Sequence, residues 1–169
     1  ARPSSAPEGT QGLGAFIVPR LTEDGRPNGF RMRRLKDKLG TRAMASSEMD
    51  FDGARAWPIG PVDRGFKNIV EIVLTTSRLY NAVSCAGIMR RAEIEAFGFA
   101  HARTAFGQAI VRFPLIQRSL SRIKCESAAA ISATMALLEM AECRARGELR
   151  DYEEQFYRAA VPLNKMLTA

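Results

Sequence analysis

The sequence predicts an α+β chain, mainly helical, with a partial antiparallel β region over about 13–60 and long antiparallel helices over 63–169. Three observations predict it. Gly and Pro punctuate short extended runs as far as Pro61, whereas after Gly65 no proline occurs until Pro114. From Phe66 onward, Ile69, Val70, Val73, Leu74, Tyr80, Val83, Gly87, Ile94 and Phe97 return at three- and four-residue steps, the spacing of one helical face. Beyond Pro114, Ile116, Leu120, Ile123, Ser127, Ile131, Thr134, Leu138 and Ala141 alternate four- and three-residue steps, a heptad-like stripe that favours near-antiparallel packing on the helix before it.

The elements follow in order. Ala1 to Gly14 is Pro/Ser/Gly-rich and reads as loop. Gly14–Val18 reads as a buried strand ended by Pro19, and Asp24–Gly29 as a turn cluster. Phe30–Leu35, Met44–Phe51 and Ala54–Ile59 complete a small sheet with one wet face. A helix over 66–102 would run about 55 Å at 1.5 Å per residue, a length that suits a bundle. Ala82, Ser84, Cys85, Ala86 and Gly87 form a small-residue patch where another element can approach closely. After a break at Phe106-Gly107, Pro114 fits the first position of a second helix over 114–146, and Gly147 supplies its stop. A third helix starts near Asp151, where Asp151, Glu153 and Glu154 favour its positive end, and runs out in Pro162–Leu167. The Ile116–Ala141 stripe and the 82–87 patch offer more apolar surface than these helices cover, so the chain is expected to be oligomeric.

With 46% hydrophobic and 25% charged residues over 169 positions, the chain is neither disordered nor fibrous. No apolar run approaches the ~20 residues that span a bilayer, so a cytoplasmic protein without membrane contact is the expectation. The net charge of +7 admits an anionic partner. Both halves are mildly basic, with ten basic and seven acidic residues in 1–62 and fifteen and eleven in 63–169. The one dense patch is Arg31, Arg33, Arg34, Lys36 and Lys38, diluted by Asp37, and its plain reading is a solvated strand rim. Cys85, Cys125 and Cys143 form no CxxC pair, and the single His101 cannot complete a zinc site with them. Reduced, buried thiols and no metal are expected. No phosphate loop and no GxSxG elbow occurs, and His101 reads as a helix-surface residue.

The informative stretch is Arg103-Thr104-Ala105-Phe106-Gly107, where an Arg beside an aromatic and a Gly can bind phosphate and stack on a planar ring. Together with Lys38-Leu39-Gly40-Thr41-Arg42, Ser46-Ser47-Glu48-Met49-Asp50-Phe51 and Arg64-Gly65-Phe66, it resembles the flavin-dependent acyl-CoA dehydrogenases in order and spacing over about 13–145. Lys36-Asp37-Lys38-Leu39-Gly40, Arg42 with Ala45–Glu48, Met89-Arg90-Arg91-Ala92 and Phe113-Pro114-Leu115 look most like the bacterial adaptive-response (alkylation-response) branch.

The resemblance implies that 1–62 is the C-terminal part of the family's middle β domain. It also implies that 63–169 is the N-terminal part of its up-and-down, four-helix-bundle-type C-terminal domain. By the same resemblance the chain is an internal fragment of a homo-oligomer, a dimer or tetramer. It would act on acyl-CoA, with FAD as hydride acceptor and an electron-accepting flavoprotein as an admissible partner. Arg103 is then expected at the pyrophosphate of FAD held by a neighbouring subunit, Phe106 near its adenosine end, and Arg78 in the acyl pocket. The departures are specific. The reaction needs a carboxylate to remove the α proton. Ser77 occupies the alternative position for that base and cannot serve, so no catalytic residue is expected within these residues and the fragment alone is expected to be inactive. A second reading is a catalytically reduced adaptive-response flavoprotein that binds or protects DNA, which calls for a clustered basic face. A third is a helical interaction module without flavin.

Overall fold

The computed structural model describes residues 1–168. Its packing divides the chain into two units, Ala1–Val70 and a second that begins at Glu71.

The first unit is built from two antiparallel ribbons. β1 (Phe16–Ile17) pairs with β4 (Trp57–Pro58), and between them in sequence β2 (Phe30–Leu35) pairs with β3 (Ser47–Phe51). The β2–β3 register sets Phe30 opposite Phe51 and Met32 opposite Met49 on one face, with Arg31 opposite Asp50 on the other. A bulge between Met32 and Arg34 absorbs Arg33, so that Arg34 meets Glu48 on the charged face and Leu35 returns to the apolar one. Three strands are shorter than the sequence predicts. The segments expected at Gly14–Val18, Met44–Phe51 and Ala54–Ile59 pair only over Phe16–Ile17, Ser47–Phe51 and Trp57–Pro58, because turns and prolines take the remaining backbone groups out of the ladder.

Buried Asn28 organises this unit. Its Nδ2 donates to the carbonyls of Pro19 (2.9 Å) and Arg55 (2.8 Å), and its Oδ1 accepts from the Arg55 amide (2.8 Å). Gly65, in the Arg-Gly-Phe step, is obligatory for a different reason. A Cβ there would lie 2.0 Å from the Ala15 nitrogen, so only glycine lets the chain pass.

Helical backbone starts with α1 (Gly65–Asn68), passes through a π-helical stretch at Ile69–Leu74 and continues as α2 (Thr75–Ala102). The π stretch corrects the expected face. Its wider turns reset the helical phase, so a pattern anchored on Phe66–Leu74 does not carry past Thr75. The buried positions of α2 are Leu79, Ala82, Ala86, Glu93 and Ala100, whereas Tyr80, Gly87 and Ile94 point outward. Ala82 and Ala86 of the small-residue patch do face a partner helix.

α3 (Pro114–Ala145) has Pro114 in its first turn, as expected. Its buried line is Leu120, Ser127, Ala130, Thr134 and Leu137, with Ile116, Ile123, Ile131, Leu138 and Ala141 half-buried beside it. Gly147 (φ 72°) ends the helix in a Schellman motif, in which the Glu148 amide donates to Cys143 and the Gly147 amide to Arg144. α4 (Asp151–Thr168) continues through exposed Pro162, which leaves one backbone carbonyl in the turn before it without its usual donor. Leu79, Leu137, Tyr157 and Val161 form the core of this unit. The cysteines are free, but they are not buried as expected. Cys125 is exposed and Cys85 and Cys143 are half-buried, since each sits beside the seam and not in it.

Candidate functional site

Between α2 and α3 the chain folds into a small hairpin, β5 (Thr104–Ala105) against β6 (Gln108–Ala109). The sequence suggests only a break here. The hairpin fixes Arg103 from both sides: its amide donates to the Phe99 carbonyl at the end of α2, and its carbonyl accepts from the Ile110 amide, each at 2.9 Å. The guanidinium itself is exposed and makes no hydrogen bond or ion pair among the described residues.

Phe106 and Gly107 form the turn with φ of 50° and 79°. Both values are positive, as a two-residue hairpin turn with the right twist requires. Gly107 adopts this freely, but for a bulky residue such as Phe106 the left-handed region is strained. The consequence is a ring that is 97% exposed, packed only edge-on against Phe113 with centroids 6.3 Å apart. A strained, exposed aromatic beside a fixed, unpaired guanidinium is the arrangement expected of a ligand contact.

The electrostatics around this hairpin are one-sided. Residues 96–125 contain no Asp or Glu, but carry Arg103, Arg112, Arg118, Arg122, Lys124 and His101. This acid-free window is visible in the sequence as a local charge imbalance that whole-half counts average away. His101 is exposed on α2, and its Nδ1 donates to the Phe97 carbonyl at 2.8 Å, which places it on the helix surface. A planar cation and an open ring on one rigid hairpin in a basic setting suit a phosphate group attached to a planar base. The residues present therefore fit a dinucleotide's pyrophosphate and adenosine end.

Arg78 and Ser77 lie elsewhere. Some 25 residues of helix separate them from Arg103, roughly 38 Å at 1.5 Å per residue, so the structure does not bring the two pairs to one ligand atom. Ser77 is exposed, and its carbonyl accepts from the Asn81 side chain at 2.9 Å. Arg78 is half-buried and has no charged partner among the described residues.

Near that end of α2 an open cavity of about 530 Å³ is lined by Glu71, Thr75, Thr76, Leu79, Arg144 and Tyr157, among others. Sequence alone does not single it out, because its charges come from three segments far apart in the chain. Its cation is internally satisfied: Arg144 Nε donates to both oxygens of Glu154 at 2.9 and 2.8 Å, and its guanidinium lies 5.7 Å from the Tyr157 ring centre. Glu154 holds Arg144 above the ordinary arginine range, and burial pushes the Tyr157 phenol up. This cluster clamps α3 to α4.

The basic strand is paired. Arg33 bonds Asp50 at 2.6 Å and Arg34 bonds Glu48 at 2.9 Å, so β3 neutralises much of β2. Among the described residues no group of three or more His, Cys, Asp or Glu is placed to hold a metal ion, and no helix is long and apolar enough to cross a membrane.

Comparison with known proteins bears on the same segment. The family model described as "Acyl-CoA dehydrogenase, C-terminal domain" matches residues 63–169. The Caenorhabditis elegans protein "Acyl-CoA dehydrogenase family member 11" is 32% identical over 162 residues, covering 96% of this chain and 26% of that protein. Its solved structure in complex with C11-CoA superposes with a TM-score of 0.84 at 31% identity, covering 95% of this chain and 27% of that one. The Escherichia coli protein AidB, classed by name among the acyl-CoA dehydrogenases, is 40% identical over 112 residues, 66% of this chain and 20% of that protein. The solved apo form of Bd2924 superposes with a TM-score of 0.89 at 32% identity, covering 99% of this chain and 33% of that one. The chain thus spans a fifth to a quarter of the curated relatives named here.

Proposed function

The chain belongs to the acyl-CoA dehydrogenase family, and from that premise we propose that it works within an FAD-dependent oxidoreductase that dehydrogenates acyl-CoA thioesters. Members of the family are FAD-dependent flavoproteins, and FAD supplies the hydride acceptor when bound. The observation that carries the reading is the hairpin: Arg103, unpaired and fixed through its own backbone, stands beside the nearly bare ring of Phe106. Arg103 binds the pyrophosphate with its planar fork, and Phe106 covers the adenosine end. Arg78, half-buried without a charged partner, is the residue of this chain assigned to the acyl-CoA pocket. Ser77 leaves proton abstraction to a carboxylate outside these residues.

Homo-oligomeric assembly belongs to the same reading, with Arg103 serving a neighbouring subunit's FAD. Tyr152, Phe156, Leu163 and Met166 on α4 and Tyr80, Ile88 and Phe99 on α2 support it, since these large apolar side chains are exposed. An electron-accepting flavoprotein is the partner such an enzyme needs for turnover. DNA binding is not favoured, because Asp50 and Glu48 take up the basic strand's guanidiniums.

The test is Arg103→Ala in the full-length protein. FAD affinity should fall about ten- to hundred-fold, the equivalent of a charged hydrogen bond worth about 1.5–3 kcal/mol. Arg103→Lys should recover only part, since a point charge lacks the fork. Arg118→Ala, a change of an exposed cation in the same basic window, is the control and should bind FAD normally. Flavin retained by Arg103→Ala as tightly as by the parent would sink the assignment.

A further inference from the structure

The ring and the hydroxyl of Tyr157 have different surroundings. The ring packs with Leu79, Leu137 and Val161 in the core of the helical unit, and the residue is 3% exposed. A phenylalanine would supply that packing. The hydroxyl makes no hydrogen bond among the described residues, and burying an O–H without a partner costs stability. Burial pushes the phenol up, so at neutral pH the group is a proton donor. Among the described residues the one fully enclosed side-chain polar atom without a partner is Ser127 Oγ. The Tyr157 hydroxyl therefore keeps access to open space, and the space its residue lines is the cavity of about 530 Å³ at the start of α2.

That cavity holds further donors. Arg144 uses only Nε on Glu154, and its two Nη groups make no hydrogen bond among the described residues. Thr76 adds a hydroxyl in the same condition. Leu79, Ala141 and Ala145 supply an apolar wall. A few convergent polar groups on an apolar wall, in a cavity of this size, are the make-up of a small-molecule site. The α2 side of the wall begins with Glu71 in the π stretch, a kind of turn found frequently at functional sites.

The charges decide which ligand fits. Arg144 is matched by Glu154, and the Glu71 carboxylate also acts on it, so an anion finds no spare positive charge. A cation would stand against the guanidinium. What is left over, a phenol O–H and the N–H groups of a neutralised guanidinium, calls for an acceptor oxygen on an uncharged group. Thr76 Oγ1 can accept an N–H in return. A carboxamide carries both the acceptor and the donor.

We propose that this cavity is a second ligand site, in which Tyr157 and Arg144 hold the carbonyl oxygen of an uncharged carboxamide whose apolar body lies on Leu79, Ala141 and Ala145. The site is separate from the hairpin, because about 24 residues of helix, roughly 36 Å at 1.5 Å per residue, divide Leu79 from Arg103. The inference therefore stands independently of the FAD reading.

The experiment uses the full-length protein and three probes, benzamide, benzoate and benzamidine, which share one planar shape and differ in charge. Ligand-observed NMR gives affinity, and thermal unfolding gives stability. Benzamide should bind in the millimolar range, and at least about five-fold more tightly than either charged probe. Tyr157→Phe should weaken benzamide about five-fold, the loss of one hydrogen bond. Its thermal midpoint without probe should be unchanged or higher, since no partner is orphaned. Ala145→Leu, at an exposed position that lines the cavity, should weaken benzamide about three-fold or more by narrowing the space. Arg103→Ala should bind benzamide as the parent does. No benzamide binding at about 20 mM, tighter binding of either charged probe, or parental affinity in Tyr157→Phe or Ala145→Leu overturns the inference. A clearly lowered midpoint in Tyr157→Phe also overturns it, because the hydroxyl would then have a partner within the protein.

Discussion

In the first unit the largest fully buried side chain is Asn28, an amide bonded to three backbone groups. In the second it is Val161, an aliphatic packed with Leu79, Leu137 and Tyr157. The β region thus folds around a polar pin, with its larger apolar side chains on ribbon faces that stay open. Met32, Leu35, Phe51 and Trp57 are each at least half exposed. The helical region folds around apolar contacts, and its polar groups, Glu93, Ser127, Thr134 and Asn164, tune a core that already exists. The difference teaches where each unit is vulnerable. A two-stranded ribbon is marginal alone, so hydrogen bonds decide its shape, whereas removing a methylene from a close-packed bundle is felt directly.

The sharpest way to break that comparison is to truncate one leucine in each unit. Leu137→Ala, at a position 4% exposed, should cost about 2–5 kcal/mol in denaturant unfolding. Leu35→Ala, at a position 59% exposed, should stay within about 0.5 kcal/mol. Equal costs would mean that the β2–β3 apolar face is buried in the protein as it works, and the contrast between the units would fail.

Asn28 sharpens the polar side of the contrast. Asn28→Ala leaves the Pro19 and Arg55 carbonyls and the Arg55 amide without partners, and should cost about 1–3 kcal/mol. Hydrogen exchange at the Arg55 amide should accelerate while α3 amides stay protected. Acceleration in α3 would show that the two units unfold as one.

Phe106 tests whether strain is kept for function. Phe106→Asn places a residue that tolerates positive φ at the turn, giving the Asn-Gly pair that such hairpins favour. The hairpin should gain up to about 1 kcal/mol, seen as a slightly higher thermal midpoint, while FAD binding weakens. A variant that is more stable and binds flavin as well as the parent would remove Phe106 from the site.

What the sequence reveals follows the same division. The stripe from Ile116 to Ala141 and the ends at Pro114 and Gly147 are legible because apolar burial repeats with the helix and caps have fixed chemistry. The α2 face is misread because the π stretch at Ile69–Leu74 shifts phase, a change that leaves no mark in composition. Asn28 is invisible as a core residue, since one amide carries no period and its partners lie nine and 27 residues away. At the candidate site, Arg103 and Phe106 stand out in the sequence through a local motif. Their presentation does not, because it depends on a left-handed Phe and a four-residue ladder. Glu93 looks like surface charge until α3 is placed against it.

The smallest expected effect compares one carboxylate from each unit. Glu153 occupies the third position of α4 and reaches back to Arg150, accepting from its guanidinium and, at 2.9 Å, from its backbone amide, half of a capping box. The guanidinium first and the amide second hold its carboxyl down to about 2, against an ordinary 4.5. Glu48 on β3 is lowered chiefly by Arg34, with no backbone donor adding to it. A folded value below the unfolded one means that the unfolded chain takes up the proton more readily. The stabilisation is therefore complete above about pH 4.5 and lost as pH falls toward about 2. In both pairs the guanidinium is exposed, so each pair contributes little and salt should reduce it further. The thermal midpoint of Glu153→Gln should lie slightly below the parent's at pH 6, and the gap should close between pH 4.5 and about 2. Glu48→Gln should show a smaller gap that also narrows as pH falls, because the backbone donor that deepens the helix-start site is missing from the ribbon. A larger gap for Glu48→Gln would reverse the ordering and show that the ribbon, and not the helix start, depends more on its ion pair.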